Sequence, residues 1–235
     1  MSVGTALDLH VHTTVGSLDS SLRPETLAAS LHTEGLDGAL IAEHLAPWPE
    51  RVAEEHRREG QLLIAGIELA FGADHLLVLG ASRISSALAR RLREAPTVMD
   101  AAMLVRTETE ALIVLAHPFR YHRERWDSAD PVRCVAERRL LDHIDAVEVL
   151  NGGCTDEENQ LAFELASLRG LPMTGGSDAH EGRAVGYAVT QLRCNVATAT
   201  DVIEMILSGQ SEIQVRQQGR RLRWDGIDVR SKACK

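Results

Sequence analysis

Short apolar runs alternate with amphipathic stretches along almost the whole chain. A first strand is expected to end at Asp8-Leu9-His10-Val11-His12. Further strands are expected at 38–42, 62–68, 75–79, 111–116, 146–150, 172–174, 184–190 and 213–215. Between them the apolar spacing predicts helices from Pro24 to about Gly35, and at 85–94, 98–108, 131–142, 156–169 and 201–208, the last capped by Thr200. Strand and helix patterns in alternation predict an α/β fold on a mainly parallel sheet. No repeat or low-complexity linker interrupts the pattern, so residues 1–235 read as one domain, with the Arg-rich stretch from Gln217 onward as a solvated tail.

Composition narrows this little but usefully. The 235 residues suffice for one α/β barrel. The apolar runs are far too short to span a bilayer, and the first strand starts too early to leave room for a leader, so the expectation is a cytoplasmic protein without a membrane partner. Cys134, Cys154, Cys194 and Cys234 form no Cys-x-x-Cys pair and read as reduced thiols. A formal charge of −9 argues against loose binding to nucleic acid, leaving nucleic acid possible only as a substrate. Bound divalent cations would offset much of that charge and make their pocket attractive to phosphate.

The candidate chemistry lies where the strands are expected to end. Alternate residues of a strand share a face, so His10 and His12 present two imidazoles side by side. Glu43-His44 follows the second apolar run and Glu68 ends the third. His75 opens the fourth, His117-Pro118 closes the fifth, and Asp178-Ala179-His180 follows a later one. Metal-ligating residue types recur beside buried strands, which points to a site for several cations. Imidazole and carboxylate without thiolate suit Zn²⁺, Mn²⁺ or Fe²⁺.

These motifs, in this order, resemble those of the PHP family, the polymerase and histidinol phosphatase domains. The resemblance rests on His10-Val11-His12, Ala42-Glu43-His44, Gly66-Ile67-Glu68, His75, Ala116-His117-Pro118 and Gly176-Ser177-Asp178-Ala179-His180, and spans Asp8 to Gly186. The segment 147–152, with Glu158-Asn159 and Ala162, is similar to stand-alone members. The resemblance implies a distorted (β/α)7 TIM-like barrel with two to three divalent metal ions at the C-terminal ends of its strands. It implies one ion on His10, His12, Glu68 and Asp178, a second on Glu68, His75 and His117, and a third on His44, His180 and a residue after His12. Many members supply that last ligand five or six residues after the second His. Here those positions are Ser17 and Leu18, and Asp19 is the nearest carboxylate.

A carboxylate such as Glu68 can bridge two cations, and paired cations lower the pKa of water from about 15.7 to about 7, which makes hydroxide available at neutral pH. The expected activity is therefore metal-dependent hydrolysis of a phosphate ester, the substrate being a small phosphorylated metabolite or nucleotide. Glu68 and Asp178 sit at its centre, and Arg120 and Arg183 are expected to clamp the phosphate. Glu43 is expected to orient His44. Glu148 and Asn151 read as fixing loop geometry, Trp48 and Trp126 as candidates for the substrate mouth, and His32, His56, His122 and His143 as solvated. A 3′-end nuclease of the same fold and a non-catalytic PHP module are the alternatives.

Overall fold

The computed structural model describes residues 4–58, 60–80, 84–121 and 130–226. His122, Trp126 and Cys234 lie outside them. Among the described residues, ten strands form one sheet in the order β10-β9-β8-β1-β2-β3-β4-β5-β6-β7. They are β1 (Thr5–Val11), β2 (Gly38–Glu43), β3 (Leu62–Phe71), β4 (Asp74–Leu79), β5 (Leu112–Ala116), β6 (Ala146–Asn151), β7 (Met173–Gly176), β8 (Ala188–Leu192), β9 (Ser211–Gln217) and β10 (Arg220–Trp224). Strands β1 to β3 run parallel, as do β5 to β7. The sheet curls far enough for a parallel bridge, Val11 with Ala179, to bring the end of β7 onto β1.

The regular (β/α)7 alternation is not what forms. Strand β4 is antiparallel to both neighbours, because only Gly72 and Ala73 separate it from β3 and so short a link permits only a hairpin. Strands β8 to β10 extend the sheet beyond β1 as an antiparallel ribbon. The architecture is a curled mixed sheet with helices α1 (Pro24–Thr33), α2 (Glu50–His56), α3 (Ser86–Arg93), α4 (Val98–Glu108), α5 (Pro131–Ala136) and α6 (Asp156–Arg169) packed on its outside, while α7 (Ala199–Leu207) packs against the layer inside the curl.

The reversal of β4 matters for the site. It brings the start of β4, and so His75, to the edge where the parallel strands end, opposite Ala116. Strand periodicity does the rest. Leu40 and Ala42, Ile64, Leu77, and Val114 and Ala116 pack together as one buried layer inside the curl, with Val202, Ile203 and Ile206 of α7 beneath. Continuing the same parity toward that edge reaches His44, Glu68 and His75. Gly66 in this layer is required by contact: a Cβ there would lie 2.6 Å from the Leu40 Cδ1 and the Val78 carbonyl oxygen.

Several boundaries differ from expectation. Helix α7 is capped by Thr198 instead of Thr200, because Thr198 and Asp201 have the spacing of a reciprocal capping box. The helix expected at 131–142 ends at Ala136 and is followed by a 3-10 turn at Arg139–His143. Helix α2 escapes the pattern because only Ala53 of its seven residues is buried. The expected solvated tail contains β10, whose Trp224 is buried edge-on to Phe163 at 5.6 Å.

Candidate metal centre

Nine sequence-singled residues face one another at the strand ends, with Glu68 in the middle. Its Oε1 lies 2.8 Å from His75 Nδ1 and 3.0 Å from His117 Nε2. Its Oε2 lies 3.2 Å from His12 Nε2, 3.4 Å from His10 Nε2 and 3.5 Å from His44 Nδ1. The Asp178 Oδ1 is 3.2 Å from His12 Nε2 and 3.6 Å from His10 Nε2. At the open end, the Asp19 Oδ2 sits 3.4 Å from both His44 Nε2 and His180 Nε2. Asp19, one residue beyond the spacing expected from the resemblance, is thus held between the His44 and His180 imidazoles.

Buried partners aim these ligands. Glu148 accepts from His10 Nδ1 at 2.9 Å, from His117 N at 3.0 Å and from Asn151 Nδ2 at 2.9 Å. With its Nδ1 engaged, His10 turns Nε2 into the centre, 3.0 Å from His12 Nε2. His12 Nδ1 meets Ser17 Oγ at 3.2 Å, and Ser17 donates to Glu43 at 2.5 Å. His180 donates from Nδ1 to its neighbour, the Asp178 carbonyl, at 2.9 Å, leaving Nε2 toward Asp19. His117 (φ 27°) and Asp178 (φ 53°) both adopt left-handed backbone that non-glycine residues rarely take, strain of the kind that collects at functional sites.

Several residues take roles that differ from expectation. The Glu43 carboxylate does not contact the His44 ring. It binds Thr13, Ser17 and the Trp48 indole N–H, the last at 2.7 Å, and acts on His12 and on the His44 backbone N–H through Ser17. Trp48 is therefore a buried brace of this network. Arg120 reaches the centre and donates to Asp178 Oδ2. Arg183 does not: its side chain is 84% exposed and its guanidinium pairs with Glu181. Asp8, given no role by the sequence, accepts from Ser177 N and Gly186 N at 2.8 Å and from Ser177 Oγ at 2.5 Å. It ties the strand carrying His10 and His12 to the loop carrying Asp178 and His180. Nothing local in the sequence marks Asp8 or Glu148 for these tasks.

The electrostatics suit cations. Burial opposes charge on Glu68, yet the surrounding imidazoles, His10 foremost, hold its carboxyl well below the usual range. Burial and then His10 act in the same opposing way on Asp178, whose pKa is also depressed. Burial likewise opposes a charged His10, but Glu148, Asp178 and Glu68 outweigh it and raise its pKa. Two anionic carboxylates thus stand among imidazole nitrogens that converge without intervening protein. Four triads, His10/His12/Glu68, Glu68/His75/His117, His10/His117/Asp178 and His12/His44/His180, each place their ligand atoms within 4.8 Å of one another. In addition, His117 Nδ1 is buried without a partner. A nitrogen and oxygen donor set with an orphaned imidazole nitrogen fits divalent transition metals. A cavity of about 420 Å³ opens beside the cluster, lined by Asp19, Ser21, Gly152, Gly153, Asp178 and His180 among others.

Comparison with known proteins agrees with this geometry. Residues 156–211 match a family model described as PHP-associated. Among solved structures, a two-domain Bacteroides vulgatus protein named for a predicted PHP-like metal-dependent phosphoesterase has 17% identity and a TM-score of 0.60, over 90% of this chain and 64% of that one. The chain shares the fold of that structure. PsfC from Pseudomonas syringae also matches (19% identity, TM-score 0.66, over 92% of this chain and 93% of that one). The lesion-specific endonuclease EndoQ of Pyrococcus furiosus also matches (19% identity, TM-score 0.63, over 89% of this chain and 57% of that one). At such identities the likeness is one of fold. A search of curated proteins gave no match. Among the described residues, no helix is long and apolar enough to cross a membrane.

Proposed function

We propose that this chain is a hydrolase of phosphate esters that works with two to three divalent cations, of zinc, manganese or iron, and acts on a small phosphorylated metabolite or nucleotide. The observation that carries the reading is the convergence of imidazoles on both oxygens of Glu68. His10, His12, Glu68 and Asp178 would hold one cation, Glu68, His75 and His117 a second, and His44, His180 and Asp19 a third. When bound, such cations supply Lewis acidity, neutralising phosphoryl charge and making water acidic enough to attack near neutral pH.

The protein groups do the positioning. Glu148 keeps the proton of His10 on Nδ1, so that Nε2 stays free to ligate. Ser17 does the same for His12. Arg120, set against Asp178 and Gly153 of the cavity lining, would supply a guanidinium fork that matches two phosphoryl oxygens. The buried apolar layer beneath closes the site to water from below.

Turnover of a generic phosphomonoester and of a phosphodiester, with and without chelator, tests the reading. Chelator-sensitive hydrolysis of either supports it, and the preferred ester separates a phosphatase from the nuclease suggested by the likeness to EndoQ. No hydrolysis of any phosphate ester by metal-replete protein would favour a non-catalytic module.

A further inference from the structure

The Arg120 guanidinium lies in a slot. On one side is Gly153, where an added Cβ would stand 2.8 Å from Arg120 Cζ and Nη2 and 2.9 Å from Nη1. On the other is Tyr121, whose ring centroid is 5.2 Å from Arg120 Cζ. Tyr121 is itself set against the cluster, 5.2 Å from the His75 ring and edge-on to His117 at 5.7 Å, yet 51% exposed. The Gly153 wall is fixed in turn: Asn151 Oδ1 accepts from Gly153 N at 2.8 Å, and the Thr155–Glu158 capping box anchors the chain just beyond. A guanidinium packed against both walls and hydrogen-bonded to Asp178 has already surrendered rotamer freedom that a free arginine would lose on binding a ligand.

We infer that Gly153 and Tyr121 are positioning residues that hold Arg120 flat between them as a preset fork for a phosphoryl group at the cavity beside Asp178. The inference rests on the proposed phosphoesterase reading for the identity of the anion. Gly153 lacks a positive φ, and the three nearest atoms its Cβ would meet all belong to the flexible end of Arg120. Gly153→Ala therefore displaces the guanidinium without burdening the fold.

The test is a double-mutant cycle read by calorimetric binding of inorganic phosphate to metal-loaded protein, with bound metal measured alongside. Gly153→Ala is expected to weaken phosphate about tenfold with metal content unchanged, and Arg120→Gln to weaken it at least as much. In the Arg120→Gln background, Gly153→Ala is expected to add nothing. Tyr121→Leu removes the other wall without adding an atom and is expected to weaken phosphate likewise, again only while Arg120 is present. Full phosphate affinity in Gly153→Ala, or an equal loss with and without Arg120, would overturn the inference. Phosphate binding is read apart from turnover, so a protein that binds phosphate through this slot but hydrolyses no ester would refute the activity and leave the slot standing.

Discussion

Replacing Glu148 by glutamine should cost the metal-bound protein more than the metal-free one, although loss of the Glu148 charge that raises the His10 pKa weakens both. Glu148 is buried and accepts three hydrogen bonds, one on Oε1 from His10 Nδ1 and two on Oε2 from His117 N and Asn151 Nδ2. A glutamine has a single acceptor oxygen. Facing that oxygen to the two donors of His117 and Asn151 keeps two bonds and turns the amide N–H₂ toward His10. His10 can satisfy it only by accepting on Nδ1, which moves its proton to Nε2 and removes its ligating lone pair from the centre. The metal-free protein therefore keeps its hydrogen bonds while the metal site loses a ligand. Loss of such an outer partner typically costs about 10–100-fold in metal affinity, or about 1.4–2.7 kcal/mol. For a chain of this length that lowers the melting temperature at saturating metal by about 3–11 °C. Competition with a chromophoric chelator gives the affinity, and calorimetric melting with and without metal gives the stability. Unchanged metal affinity, or an equal loss of melting temperature with and without metal, would refute the reasoning.

Other outcomes follow from the same geometry. Asp19→Asn should remove one cation from the set, read by elemental analysis, because Asp19 bridges His44 and His180 alone; unchanged stoichiometry contradicts that role. Burial raises the Asp8 carboxyl from 3.8 to about 6, so the folded metal-free chain holds a proton that the unfolded chain has lost. Its contribution to stability is full below the unfolded value and disappears as pH rises through about 6, a loss relative to Asp8→Asn of about 2 kcal/mol between pH 4 and 7. Urea unfolding of the two metal-free proteins at both pH values checks this, and parallel curves would contradict it. Arg183→Ala should leave kcat/KM within about twofold, since an exposed pair of this kind contributes little; a larger loss would place Arg183 back at the substrate.

The convergence of the candidate residues was legible because strand periodicity and strand ends are local properties. His44 and Glu68 continue the inward parity of the apolar residues before them, and His75 that of the residues after it. What escaped depends on distant contacts. Glu148 meets His10 across 138 positions and Asp8 meets Ser177 across 169, and no window of sequence joins them. Arg183 shows the converse error, since nearness to His180 in sequence did not bring its guanidinium to the cluster. The sheet departs from the expected distorted (β/α)7 barrel at the two-residue link between β3 and β4, which forces a hairpin, and at the antiparallel β8–β10 ribbon. Strand β10 was hidden because arginines at Arg220, Arg221 and Arg223 outweigh the alternation of Leu222 and Trp224.

The most direct test of the central claim is metal content by elemental mass spectrometry on protein purified without added metal, repeated for Glu68→Gln. The account expects two to three equivalents of zinc, iron or manganese in the natural protein. It expects a clear loss in Glu68→Gln, since both the His10/His12 and the His75/His117 subsites share that carboxylate. Less than one equivalent, unchanged after reconstitution with each metal, would contradict it.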